Sequence, residues 1–323
     1  MKKIISVFIL LFFFSCEKKG NHPYSFYYWK TRIKSTDTEN KALEQSTSSD
    51  WYVRFFDVDK VNGKFQPVGI VTKDPSFSTS KDTVPVIFIT NRTFLNIKEP
   101  EVRFLAESIH QLIEKKIKEL GFKNTSEIQI DCDWTAGTKQ DYFHFLKQLK
   151  IVSKKTITST LRLHQVRDKK LMGTPPVEKV YLMCYSTSSP LENSDKNSIL
   201  DVQLLKNYLS EIQHYPIKNI DVALPIYSWG IITNHLGKHK LINAISEKDL
   251  DNKDFEKISE NEAIVREDGF FFGHFLNKGF RIKVEQIPQE QLNEVTDFLN
   301  RKIHNFNLIY YQLDERFIRN RDF

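Results

Sequence analysis

From residue 51 onward, short runs of β-branched and aromatic residues alternate with longer segments in which apolar residues recur every three or four positions. Few architectures satisfy that rhythm. "WYVRFFDVD" (51–59), "VPVIFIT" (84–90), "EIQIDCDWT" (127–135), "TITSTLRLHQ" (156–165), "KVYLMCYST" (179–187) and "NIDVALPIYSWG" (219–230) read as strands. A seventh falls within "DGFFFGHFLNKGFRIKVEQI", and "FNLIYYQLDERF" supplies the eighth. Between them, "PEVRFLAESIHQLIEKKIKELGF" places Val102, Leu105, Ile109, Leu112, Ile113 and Ile117 on one helical face, with Pro100 near its start and Gly121 at its end. The same spacing predicts helices in "TKQDYFHFLKQLK", over 198–213 and in "QEQLNEVTDFLNRKI".

Eight strands alternating with helices predict an α/β chain folded as a (β/α)8 TIM barrel. No glycine-rich phosphate loop follows the first strand, which argues against a doubly wound sheet. Residues 51–323 are read as one barrel. The polar, charged stretch 231–268 is read as an insertion, a helical excursion or long loop, and 16–50 as a tether and N-terminal extension that becomes structured near Tyr24 to Trp29. Aromatics at 13%, with 25 Phe, are enough for a large core. The formal charge of +6 is diffuse, and without a basic block interleaved with aromatics no nucleic-acid partner is expected. Cys132 and Cys184 sit in apolar runs and are expected as buried free thiols. No Cys/His spacing points to zinc, so no metal and no cofactor is expected.

Within "EIQIDCDWT", acids stand where a core strand should be apolar. Alternate strand residues face opposite ways, so Ile128, Ile130 and Cys132 turn outward while Gln129, Asp131 and Asp133 turn to the barrel axis. In a TIM barrel the inward residues at the C-terminal strand ends build the site. Other strands bring compatible groups to the same mouth: Asp57 and Asp59, then Thr158, Thr160, Arg162 and His164, then Tyr185, then Tyr227 and Trp229, and finally Gln312, Asp314 and Glu315. Rings stack on the apolar faces of sugars, and carboxylates handle hydroxyls or protons, so the set suits a polysaccharide or oligosaccharide. A buried ion network of Asp131 and Asp133 with Arg162 would explain the same acids structurally. Met183 is read as packing.

"IQIDCDWT", "LMCY" and "ALPIYSW" together resemble the chitinase-like barrels of glycoside hydrolase family 18. Asp131 and Asp133 match the last two aspartates of that family's DxxDxDxE motif, Met183 and Tyr185 its Met-x-Tyr pair, and Pro225 and Tyr227 its later Pro-x-Tyr. The chain also looks like a group of bacterial barrel lipoproteins with "IDxDW", "RLHQ" and "GxPP" segments, the last supplied by Gly173 to Pro176. The family's glutamic general acid falls at position 135, which is Thr135 here. In that family the acid protonates the leaving oxygen while the substrate's own acetamido group attacks. Two readings follow. Either the barrel cleaves a glycan with Asp131, Asp133 and Glu315 as candidate catalytic residues, Asp133 or Glu315 being the proton donor, or it is a non-catalytic lipoprotein that binds glycan or serves envelope assembly. Asp57, Arg162, His164, Tyr185, Tyr227, Trp229 and Asp314 are the candidate substrate-binding residues.

Residues 1–15 have the form of a bacterial lipoprotein signal peptide: Met1-Lys2-Lys3, the apolar run Ile4 to Phe14, then Ser15 before Cys16. That run is shorter than the roughly 20 residues a spanning helix needs. "FFFSC" resembles a lipobox, which implies acylation of Cys16 and a membrane-anchored protein of the bacterial cell envelope.

Overall fold

Eight parallel strands pair in chain order and close on themselves in the computed structural model, which describes residues 22–123, 125–192, 195–319, 321 and 323. They are β1 (Tyr24–Tyr28), β2 (Asp50–Val61), β3 (Asp82–Ile89), β4 (Glu127–Asp131), β5 (Thr156–Arg162), β6 (Lys179–Met183), β7 (Asn219–Pro225) and β8 (Leu308–Tyr311). β1 pairs with both β2 and β8, so the sheet has no seam, and helices fill most of the connections. This is the (β/α)8 barrel that the alternating pattern predicts. The helix Glu99–Leu120 ends at Gly121, whose φ of 67° is the left-handed geometry that glycine adopts without strain.

Strand alternation sorts the residues of β4 as expected. Ile128 and Ile130 are fully buried on one side. On the other, the hydroxyls of Thr158 and Tyr181 donate to Glu127 Oε1 at 2.8 and 2.5 Å, and Gln129 Nε2 donates to Tyr27 Oη at 2.6 Å. The barrel axis is therefore filled by a hydrogen-bonded polar network rather than by aliphatic layers.

Two strand assignments change. The first barrel strand is Tyr24–Tyr28, inside the segment read as a tether: "YSFYY" carries aromatics on both faces and is buried through most of its length. Conversely, no barrel strand lies within 268–287. Residues 229–285 instead hold a five-stranded antiparallel sheet between β7 and β8, built from Trp229–Thr233, His239–Asn243, Phe255–Lys257, Glu262–Val265 and Arg281–Glu285. The insertion read over 231–268 is thus larger and made of strands. Its own core gathers Ile232, Ile242, Ile245, Leu250, Phe255, Val265, Ile282 and Val284, which are interspersed with polar and charged residues and so leave a polar average. The helix expected over 198–213 is confined to Val202–Tyr208, followed by a short turn at Ile212–His214. Cys132 and Cys184 are buried free thiols. Among the described residues no helix is long and apolar enough to cross a membrane. Cys16 and the signal-like segment lie outside the described residues.

Candidate functional site

At the C-terminal mouth of the barrel, a cleft of about 410 Å³ is lined by residues from every side of the ring and from the inserted sheet. Asp131 ends β4, and Asp133 lies two residues beyond it, past the strand's last hydrogen bond. Arg162 closes β5, and its Nε stands 3.3 Å from Asp133 Oδ1. The same guanidinium lies over the Tyr185 ring, 5.8 Å from its centre. Thr160 Oγ1 donates to Asp131 Oδ1 at 2.7 Å.

The two aspartates differ in electrostatics. Burial pushes the Asp131 carboxyl up to about 6, and the neighbouring charge of Asp133 adds to the rise; the Thr160 hydroxyl and Arg162 oppose it. Asp133 is half exposed and paired with Arg162. One acid at the cleft floor therefore holds a proton near pH 6 while the other serves as a counterion.

A belt of rings completes the cleft. Tyr185 stacks on Tyr311 with ring centres 5.4 Å apart, Tyr227 packs edge-on to both, and Trp229 lies 5.3 Å from Tyr227. Trp29, at the end of β1, sits 5.5 Å from Tyr311. Trp229 is fixed by its own N–H, which donates to Glu285 Oε2 at 2.9 Å. Trp29, Trp229 and Tyr311 remain partly exposed toward the cleft. Gln312 also lines it, with a buried Oε1 that has no partner in the protein. An open cavity with aromatic walls and a few convergent polar groups has the chemistry of a ligand site.

The structure brings together Asp57, Asp131, Asp133, Arg162, Tyr185, Tyr227 and Trp229. Asp57 is anchored by Arg54, whose Nε donates to its Oδ1 at 2.6 Å. His164 does not share a strand face with Arg162, because β5 stops at Arg162 and Leu163–Arg167 turns helical, with Gln165 Oε1 accepting from the Arg162 N–H. It borders a smaller side pocket with Asp133, Arg162, Tyr185 and Tyr208. Burial and then the Arg162 charge lower its pKa, so its imidazole is neutral at pH 7.

Asp314 and Glu315 do not reach the cleft. Asp314 is buried against Arg316 and Lys30 and caps the short helix Glu315–Ile318, while Glu315 pairs with Arg319 at 2.7 Å and accepts from Thr38. The chain turns into that helix directly after β8, which carries both acids away from the mouth, and this removes the geometric case for Glu315 as a proton donor. Thr135 is exposed, and its backbone N–H donates to Thr138 Oγ1 at 3.0 Å. Sequence reading missed Trp29, Tyr311 and Arg316. Trp29 follows an aromatic run that reads as a strand once its buried neighbours are known. Among the described residues no cluster of three or more His, Cys, Asp or Glu is placed to hold a metal ion.

No family model matches the chain, and no curated protein does. Solved structures do. A chitinase from Chromobacterium violaceum superposes with a TM-score of 0.54 at 10% identity, covering 92% of this chain and 96% of its own. The spore cortex-lytic enzyme SleL of Bacillus cereus gives 0.52 at 14% identity over 90% and 71%, and a group IV chitinase from Ostrinia furnacalis 0.51 at 11% over 90% and 92%. The fold is that of the chitinase-type barrels. At these identities the likeness establishes the barrel fold alone and leaves the chemistry to the site itself. The comparisons lend no support to the narrower group of barrel lipoproteins.

Proposed function

We propose that the cleft binds a polysaccharide and that binding, rather than hydrolysis, is its principal activity. The observation that carries this reading is the pairing of a complete sugar-handling wall with an exposed threonine in the position of the acid. Trp29, Trp229 and Tyr311 offer partly exposed ring faces, backed by Tyr185 and Tyr227, around Asp131, Asp133 and Arg162, whereas the Thr135 hydroxyl cannot deliver a proton at neutral pH. The neighbours named as chitinases and as a spore cortex-lytic enzyme direct the choice of ligand toward polysaccharides. A glycan array probed with the chain from residue 17, followed by mass spectrometry of every bound glycan, tests it. Binding without new reducing ends is expected; no binding to any glycan refutes the reading.

One observation favours a second reading, slow hydrolysis. A carboxyl raised to about 6 is half protonated there and is the sort of group enzymes use as general acid, so Asp131 would be the donor. New reducing ends that vanish in Asp131→Asn would establish that alternative.

We also propose that Cys16 carries the lipid anchor suggested by the residues before it, placing the protein on a membrane of the bacterial cell envelope. Five residues separate Cys16 from His22, a reach of about 20 Å at most. His22 is held by the Phe306 carbonyl and Asn300 Oδ1 where the chain enters β8, at the end of the barrel opposite the cleft. An anchored molecule would therefore present its cleft away from the lipid. Radiolabelled palmitate incorporation that is lost in Cys16→Ser checks the anchor.

A further inference from the structure

Beside the aromatic cleft, and sharing Ser228, Arg316 and Phe317 with it, lies a second cavity of about 370 Å³. It forms where Gln286 to Gln289, leaving the inserted sheet, meet the segment after β8. Lys248, Arg316 and Arg321 reach it, and no carboxylate lines it. Arg316 is held by Asp314, to which Nε and Nη2 donate at 2.9 and 2.8 Å. The other two cations have no such counterion: among the described residues no carboxylate pairs with Lys248 or Arg321. Glu247 and Asp249, on either side of Lys248, do not line the cavity but stand behind its wall, where they accept from the lining residues Gln286 (Nε2, 2.8 Å) and Ser246 (Oγ, 2.7 Å).

Arg321 is the informative member. Its Nη2 donates to the Ile287 carbonyl at 2.7 Å and its Nη1 approaches Gln289 Oε1 at 3.5 Å, both neutral acceptors. Burial lowers its pKa, so the charged form is held at a cost. A largely desolvated guanidinium beside an empty volume gains most from an anion that accepts two of its N–H groups. Lys248, exposed at the rim, adds a second charge.

We propose that this cavity is a subsite for an anionic group, a carboxylate or a sulfate, carried by the sugar chain that the aromatic cleft holds. The inference rests on the glycan-binding reading and narrows it to acidic polysaccharides. Because the two volumes share a wall, one chain can place a neutral ring against Tyr227 and Trp229 while the acidic substituent of the next residue meets Arg321 and Lys248.

Isothermal titration of the chain with three tetrasaccharides tests the idea: tetra-N-acetylglucosamine, the same tetramer carrying 6-O-sulfate, and tetragalacturonate. At least one anionic tetramer should bind about tenfold tighter than the neutral one, and which of the two identifies the anion. Lys248→Gln, at an exposed position that leaves folding intact, should reduce that preference several-fold, and Arg321→Gln should abolish it while binding of the neutral tetramer persists. Equal affinity for neutral and anionic tetramers, or a preference that survives both substitutions, overturns the subsite and leaves the glycan reading standing. If none of the three binds, the subsite for these acidic chains is overturned, and the glycan reading stands or falls on the array alone.

Discussion

Replacing Asp131 with Asn should make the protein more stable at neutral pH, an unusual result for a residue in the middle of a barrel. The folded-state pKa of Asp131 lies at about 6, against an ordinary value of 3.8. A rise of that size corresponds to about 3 kcal/mol of penalty on the ionised form. Because one edge of the carboxylate meets the open cleft, screening trims the expected gain to about 2 kcal/mol. The sign follows from proton binding. Below 3.8 the acid is protonated in both states and the substitution changes little. Between 3.8 and 6 the folded form holds the extra proton, so wild-type stability falls as pH rises. Above 6 the whole penalty is present. Asn can still accept the hydrogen bond that Thr160 Oγ1 donates at 2.7 Å, so no donor is stranded. Thermal melts of wild type and Asp131→Asn at pH 4 and pH 8 measure the effect, which should reach roughly 4 °C in Tm at pH 8 and shrink toward zero at pH 4. A variant that is less stable at pH 8, or a difference that does not move with pH, would show that Asp131 is structurally paired and refute the electrostatic account of the site.

Other substitutions probe the remaining claims. Trp29→Ala and Trp229→Ala each remove a partly exposed ring, and either should weaken glycan binding by about tenfold in titration calorimetry while far-UV dichroism stays the same. Thr135→Glu places a carboxylic acid two residues beyond Asp133 on the loop after β4. If the barrel binds sugar in the hydrolase orientation, that variant should release reducing ends that wild type does not, as read by mass spectrometry. Ile282→Ala cuts into the core of the inserted sheet, where Ile282 is 1% exposed, and should cost about 2–5 kcal/mol in urea unfolding.

The barrel was legible because its period is physical. A strand buried on both sides and a helix buried on one leave different spacings, and β2 through β7 each carry theirs within a few residues. The two departures have separate causes. Tyr24–Tyr28 is only five residues long and sits among polar and basic residues, so its aromatic density was absorbed into a tether. The inserted sheet failed in the opposite way: Ile231, Ile232, Leu241 and Ile242 are separated by "TNHLGKHK", whose turn at Gly237 has a φ of 70°, and the average polarity hid a hairpin. A count of eight from the sequence pattern therefore omits Tyr24–Tyr28 and includes a strand within 268–287 that belongs to the insertion.

The site was legible wherever a strand end carried it and illegible where the chain turned. Asp131 and Arg162 follow from alternation and the C-terminal rule alone; Tyr185 and Tyr227 lie two residues past the ends of β6 and β7 and still reach the cleft. Beyond a strand's last hydrogen bond alternation no longer applies, and the outcome depends on what the next turn needs. Asp133 stays in the cleft because Arg162 holds it; His164 leaves the strand face because Gln165 caps a helix there. Asp314 is drawn away by the helix it caps, taking Glu315 with it and leaving Arg316 facing the cleft. The last case matters most for chemistry. The turn that removes two acids from the mouth also brings Arg316, and a few residues later Arg321, to the cavity beside it. The same stretch of chain that weakens the case for a hydrolase strengthens the case for recognition of an acidic sugar.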